Sequence, residues 1–165
     1  MGADKAQMKV NGRRLVDVAL ADIPDEWDRI VVSAENLGAP SVVEEPPFGG
    51  PVAGIAAGLT ALTNPFIAVM AVDAPHSGRM LQVLASQIGS HDVAVAVSND
   101  HIQPLCSVWR RESLADALQK TGSRDVAAKR LVASSKSVLR VCGDGTEIDY
   151  DTPDELAALG EIEFP

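Results

Sequence analysis

A three-layer α/β fold with a mostly parallel sheet is predicted by three features of the sequence. Short β-branched runs alternate with stretches of helical periodicity from Arg29 to Val141. These runs lack the apolar and polar alternation of a strand with one wet face, so they suit strands covered by helices on both sides. The chain has 165 residues, 46% hydrophobic and 22% charged. That is enough for one hydrophobic core and too little for two, so residues 1–165 are read as a single domain.

The elements follow in order. A polar opening runs into a helix carried by Leu15, Val18, Ala19 and Ile23, which Pro24 ends. Arg29 to Ser33 is a β-branched run suited to a strand buried on both faces, and Val42-Val43 is a shorter one. The segment "EEPPFGGPVAG" is a loop by its Pro and Gly content, and Ile55, Leu59 and Leu62 carry a helix out of it. Phe66 to Val72 is the most hydrophobic run and reads as a central strand that stops at Asp73-Ala74-Pro75. Met80, Leu81, Leu84 and Ile88 form a helix, and Asp92 to Val97 a strand. "QPLCSVW" is a further strand, Leu114, Ala117 and Leu118 lie on a helix, and Val126 to Val132 on another. Val138 to Val141 is the last strand of the alternation. Thr152-Pro153-Asp154-Glu155 is a capping box with Pro at the first helical position. Strands alternating with helices imply right-handed crossovers and a sheet covered on both faces.

Composition removes several functions. A net charge of -9 argues against broad electrostatic binding to nucleic acid or to an anionic membrane. No apolar run approaches the roughly 20 residues of a spanning helix, so no membrane is expected and the cytoplasm is the expected compartment. Cys106 and Cys142 read as small buried hydrophobes. His76, His91 and His101 are too scattered for a metal cluster, and Trp27 and Trp109 read as core or subunit contacts.

In open α/β sheets the ligand lies beyond the carboxyl ends of the strands. Three places on that edge are candidates. Gly49 to Gly54, "GGPVAG", can bring backbone close to a ligand and feeds a helix N-terminus, or is a plain turn. Asp73 ends a buried strand, where a carboxylate suits a Mg²⁺ ligand or caps the next helix. Lys5 lies in the polar opening, where an ammonium can neutralise a phosphate.

Taken together, these residues resemble the molybdenum cofactor guanylyltransferases, the MobA-like branch of the nucleotidyltransferase superfamily. That family opens with a strand and a glycine-rich loop written roughly L-A-G-G-x-x-x-R-M-G-x-D-K, and this chain begins "MGADK". "GGPVAG" is similar to its G-P-L-A-G, "VDAP" to its D-x-P, and "QPLCSVWRRESL" to its Q-P-x-x-x-x-W/Y-R segment. "IDYDTPDEL" is similar to its D-x-D/N-T-P-E-D-L tail. The matches occur in family order over essentially the whole chain.

The resemblance implies a Rossmann-like nucleotidyltransferase fold and transfer of GMP from GTP to molybdopterin with release of pyrophosphate. It implies Lys5 and Asp73 as catalytic residues, Asp73 as the ligand of Mg²⁺, and Gly2, Lys5, Asn36, Glu45, Gly50, Pro51 and Asp73 as nucleotide contacts. Glu44-Glu45 stand where the family has an aspartate in contact with guanine, so CTP in place of GTP is the alternative donor. A non-catalytic relative that only binds nucleotide or molybdopterin is the other alternative. Molybdoenzymes or proteins of the cofactor pathway are the implied macromolecular partners. The family's first strand and most of its glycine-rich loop have no counterpart, so the chain is expected to be N-terminally truncated, with translation begun at an internal methionine. A first strand of this kind is paired on both sides, and its loss leaves two neighbours without partners.

Overall fold

The computed structural model describes residues 5–164. Gly2, expected to contact nucleotide, lies outside the described residues.

A 3-10 turn at Lys5–Gln7 leads into a hairpin of β1 (Lys9–Val10) and β2 (Arg13–Arg14), and then into α1 (Leu15–Ala21). β3 (Val31–Val32) and β4 (Ser41–Val42) precede α2 (Pro51–Ala61). Then follow β5 (Phe66–Met70), α3 (Ser77–Gln87), β6 (Val93–Ser98), β7 (His101–Arg110), α4 (Arg111–Thr121), α5 (Ala128–Ala133) and β8 (Val138–Cys142). The short α6 (Pro153–Leu156) and β9 (Ile162–Glu163) complete the chain.

The central sheet is four-stranded in the order β5-β7-β6-β8. β6 and β8 pair in parallel, and β7 is antiparallel to both of its neighbours. β5, β6 and β8 therefore point the same way, and β7 is the one exception within a sheet otherwise of one direction. The reason is local. Only Asn99 and Asp100 separate β6 from β7, both at positive φ, 49° and 64°. A two-residue turn of this kind reverses the chain and leaves no room for a crossover.

Both faces of the sheet are covered, as expected of a three-layer fold. Along β6, Val93 and Val95 point into a core with Val52, Trp109, Leu114 and Leu131. Ala94 and Ala96 point into the other core, with Met80, Leu81 and Leu84 from α3. The period of two assigns one residue to each face in turn, and the small alanines meet the bulky face of α3. Trp109 is 1% exposed, and its indole N–H donates to the Ser107 hydroxyl at 2.9 Å. Trp27 packs against the α3 core, so both tryptophans serve packing.

Three expectations change. The opening is more than a loop before a helix: β1, β2 and β9 form a three-stranded antiparallel sheet. Its hairpin turns on Asn11-Gly12, at φ 51° and 76°, the dipeptide best suited to a turn with positive φ at both central residues. Cys106 is buried, and burial pushes its thiol up to about 12, but Cys142 is exposed. It ends β8 on the way to an open loop and is not a core residue. The run around Val31-Val32 is not buried on both faces either. Val32 is 38% exposed, because among the described residues β3 pairs only with β4, in a separate two-stranded parallel sheet. Among the described residues no strand lies between β3 and β5, and a cavity of about 750 Å³ separates them.

One carboxylate fixes the register at the start of two strands. Asp92, just before β6, accepts from the Ser113 hydroxyl at 2.8 Å and from the backbone N–H groups of Lys136 and Ser137 at 3.0 Å each. The Ser113 bond, reinforced by those two amides, outweighs burial and holds its pKa below the usual carboxylate value. A depressed native pKa contributes stability that is present above the unfolded value and is lost as pH falls through the native one. Asp92→Ala is therefore expected to cost about 1–3 kcal/mol at pH 7. Urea unfolding at pH 7 and in acid checks this, with the gap between variant and parent closing in acid.

Candidate active site

Because β5, β6 and β8 share a direction, their carboxyl ends lie on one edge. Asp73 follows β5 there, the Asn99-Asp100 turn follows β6, and the Gly143 to Glu147 loop follows β8. Lys5 is brought to the same edge by its own turn. Its carbonyl accepts from Met8 N–H at 3.2 Å, and Met8 and Leu15 are both essentially fully buried, so the turn is anchored in the small core beneath it.

Lys5 joins three parts of the chain. Its ammonium lies 3.3 Å from Asp73 Oδ2 and 3.1 Å from Asp151 Oδ1, and donates to the Tyr150 carbonyl at 3.4 Å. The backbone supports the pairing, since Tyr150 N–H donates to the Asp73 carbonyl at 2.9 Å. Lys5 and Asp73 are about equally shielded, with side chains 22% and 25% exposed. Burial works against the Lys5 charge, but the bond to Asp151 and the field of Asp73 outweigh it, and its pKa is raised. Lys5 stays an ammonium at neutral pH, and the cluster carries two carboxylates against one cation.

The alternative role of Asp73 as a helix cap does not occur. The N-cap of α3 is His76, with no side-chain cap bond, and the Asp73 carboxylate is turned to Lys5 instead. His76 Nδ1 pairs with Asp22 Oδ2 at 3.1 Å and Arg79 joins them at 3.3 Å, which ties α1 to α3.

Asp151 is the member that sequence reasoning did not single out. It stands directly before the capping box, which forms as expected. Glu155 Oε2 accepts from Thr152 N–H at 2.9 Å and from Asp151 N–H at 2.8 Å, and Glu155 N–H donates to Thr152 Oγ1 at 3.2 Å. A capping box fixes the backbone entering its helix. The residue before it therefore has a set position, and this was the available signal.

The glycine segment is held separately. Gly50, at φ 84° and ψ -179°, is the N-cap of α2, with Pro51 at the first turn and no side-chain cap. This backbone conformation is open to glycine and strained for other residues. The preceding loop is braced from within and from outside. Glu44 Oε1 accepts from Gly49 N–H at 3.0 Å, Arg124 donates to the Pro46 and Pro47 carbonyls, and Asp125 N–H donates to the Gly49 carbonyl at 2.9 Å. Of the two glutamates, Glu44 is engaged in the loop, whereas Glu45 is exposed. An uncapped helix start leaves N–H groups and a positive dipole end for an anion. Asn36 lies in the loop between β3 and β4 and is exposed, its Oδ1 accepting from Gly38 N–H at 3.0 Å in a local turn. The structure thus brings Lys5 and Asp73 into direct contact, and places Asn36, Glu45, Gly50 and Pro51 on loops outside that contact.

Among the described residues no three His, Cys, Asp or Glu side chains converge as a complete metal cage. Asp73 and Asp151 are the acidic groups that converge on one cation. A pair of carboxylates fits Mg²⁺, which takes one or two from protein and the rest of its shell from water and phosphate. No described helix is long and apolar enough to cross a membrane.

Known proteins resemble this chain in sequence and in fold. The sequence profile of the MobA-like NTP transferase domain matches residues 1–138. A probable molybdenum cofactor guanylyltransferase of Natronomonas pharaonis is 36% identical over 148 residues, covering 83% of this chain and 72% of that protein. A molybdenum cofactor guanylyltransferase of Burkholderia lata is 28% identical, covering 94% and 81%. Among solved structures, molybdopterin-guanine dinucleotide biosynthesis protein A of Archaeoglobus fulgidus superposes with a TM-score of 0.72 at 18% identity, covering 96% of this chain and 89% of its own. The 2-C-methyl-D-erythritol 4-phosphate cytidylyltransferase of Thermus thermophilus gives 0.72 at 20% identity, covering 94% and 91%. These last two establish the shared nucleotidyltransferase fold. The profile match spans most of the sequence and the Natronomonas pharaonis relative is more than a third identical, so the chain belongs to the MobA-like NTP transferase family.

Proposed function

We propose that this protein is a cytoplasmic, Mg²⁺-dependent guanylyltransferase that moves GMP from GTP onto the phosphate of molybdopterin and releases pyrophosphate. The observation that carries the reading is the convergence of Lys5, Asp73 and Asp151 at the carboxyl edge of the sheet, in a family whose similar members bear that name. An acceptor phosphate oxygen attacks the α-phosphorus of GTP, a new P–O bond forms, and the bond to the pyrophosphate oxygen breaks. The nucleophile is already ionised at pH 7, so alignment and charge stabilisation are what the protein must provide.

Asp73, aided by Asp151, would hold the Mg²⁺. When bound, that ion supplies positive charge to the phosphates. Lys5 neutralises a nucleotide phosphate as a point charge, and the two carboxylates keep it protonated and aimed until nucleotide arrives. Gly50 and Pro51 open α2 toward the base and ribose, with Asn36, Glu45 and Gly2 completing the nucleotide contacts. Molybdoenzymes or proteins of the cofactor pathway are the macromolecular partners this reaction calls for.

Pyrophosphate release from GTP and molybdopterin by this chain tests the activity, and its absence would leave a binding protein only. Competition between GTP and CTP tests the base, since tighter CTP binding would replace the guanylyl reading with a cytidylyl one. Asp73→Ala is expected to lower turnover on the order of 10²-fold or more, and an unchanged rate would remove Asp73 from the chemistry. The Lys5 ammonium is expected to titrate above ordinary lysines by carbon-detected NMR. Asp151→Asn should move it back toward them, and an unmoved Lys5 would dissociate Asp151 from the cluster.

A further inference from the structure

One aromatic side chain stands in solvent on a loop that is pinned on both sides of it. Phe48 is 93% exposed, the most exposed large hydrophobic residue among those described. Its backbone lies at φ 62°, in the left-handed region, where a bulky residue other than glycine is an outlier. Such a conformation is unfavourable and persists only where its surroundings impose it.

The imposing contacts flank the residue. Just ahead of it, Arg124 donates to the Pro46 and Pro47 carbonyls. Just after it, Gly49 N–H donates to Glu44 Oε1 at 3.0 Å, and the Gly49 carbonyl accepts from Asp125 N–H at 2.9 Å. Gly49 also lacks room for a side chain, since a Cβ there would stand 2.7 Å from that of Ala53 and 2.8 Å from Arg124 Nη1. The neighbours fix the loop, and the Phe48 ring adds almost no packing to it. Phe66 gives the contrast, being 43% exposed with the Arg110 guanidinium 5.2 Å from its ring centre.

The chain path sets this ring at the edge that carries Lys5 and Asp73. α2 ends at the amino end of β5, where Arg111 donates to the Leu59 and Leu62 carbonyls. α4 begins at that same end, because Arg111 follows β7, whose Arg110 pairs with Phe66. Each helix has 11 residues and is about 16 Å long, and the far ends meet through the bond from Asp125 to Gly49. That meeting lies at the carboxyl edge of the sheet. Phe48 stands there just before Gly50, the uncapped start of α2. Open N–H groups at a helix start attract an anion. An exposed aromatic face beside them suits a ligand that joins phosphate to a flat ring, and a fixed backbone leaves little freedom to lose on contact.

We propose that Phe48 is a stacking platform for the planar fused nitrogen ring of a phosphorylated ligand, a chemistry that guanine and pterin share. The choice of ligands rests on the guanylyltransferase reading, and the choice of residue rests on the loop.

Equilibrium binding with Mg²⁺ tests it, using GTP, 6-hydroxymethylpterin phosphate and inorganic tripolyphosphate on the parent chain and on Phe48→Ala, Phe48→Gly and Phe48→Tyr. Removing the ring is expected to weaken at least one of the two ring-bearing ligands by about tenfold, the usual scale of one lost base–aromatic stack, and to leave tripolyphosphate unchanged. The ligand that loses affinity identifies the ring. Tyrosine keeps the aromatic face and is expected to bind as the parent does. Phe48→Gly also relieves the backbone, so its melting temperature is expected to equal or exceed that of the parent while its binding falls. Unchanged binding of both ring-bearing ligands by the Ala and Gly variants would overturn the proposal. So would a parallel loss of tripolyphosphate, which marks a collapsed loop. A parent chain that binds the pterin phosphate and not GTP removes the guanylyl reading and leaves Phe48 to be judged on the pterin. A parent that binds neither overturns both.

Discussion

Helices cover both faces of the central sheet, and this double cover governs where chemistry can occur. Val93 to Ala96 send side chains alternately into two cores and leave no strand position for a charge. An isolated charge placed there would cost several kcal/mol. Along β6 the charged groups therefore stand at the strand ends. At the amino ends Asp92 serves architecture, bonded to Ser113 and to the backbone ahead of β8. At the carboxyl ends Asp73 meets Lys5 and Asp151 in a cluster whose charges are only partly shielded. The same class of side chain thus has a structural role at one edge and is open to ligand at the other.

The carboxyl edge is assembled from pieces far apart in sequence. Lys5 comes from the first described turn, Asp73 from the end of β5 and Asp151 from the entry to α6, and each is held by something other than the cluster. Met8 and Leu15 anchor the turn of Lys5, the β5 to β7 ladder sets Asp73, and the capping box sets Asp151. A site whose members are positioned independently keeps its geometry when a ligand replaces one ion pair with another. The cost is a standing attraction between Lys5 and the carboxylates that any ligand of this cluster would have to displace.

Much of this was legible in the sequence because burial on two faces leaves a strong signature. The runs Phe66 to Val72 and Asp92 to Val97 became β5 and β6, and Thr152-Pro153-Asp154-Glu155 capped a helix as its spacing required. Asp73 and Lys5 could be marked as candidates because each follows or precedes an element on the expected edge. What remained hidden depends on long-range pairing. The direction of β7 rests on the two-residue turn at Asn99-Asp100, and the union of β1 with β9 brings residues 9–10 to residues 162–163. Asp151 stood in the quoted tail motif but drew no site role, because its meaning comes from Lys5, at the other end of the chain. The exposure of Val32 and Cys142 followed from missing neighbours, which a local pattern of hydrophobicity does not record.

The most direct test of the central claim, that Lys5, Asp73 and Asp151 form the metal and phosphate site, is paramagnetic broadening of the protein's NMR signals by trace Mn²⁺ with GTP. Broadening that begins at Asp73, Asp151 and Lys5, and spreads to Gly50 before reaching the Asp92 end of the sheet, is the predicted result. Broadening centred on another acidic segment, such as Asp144 to Glu147, with Asp73 unaffected, would contradict it.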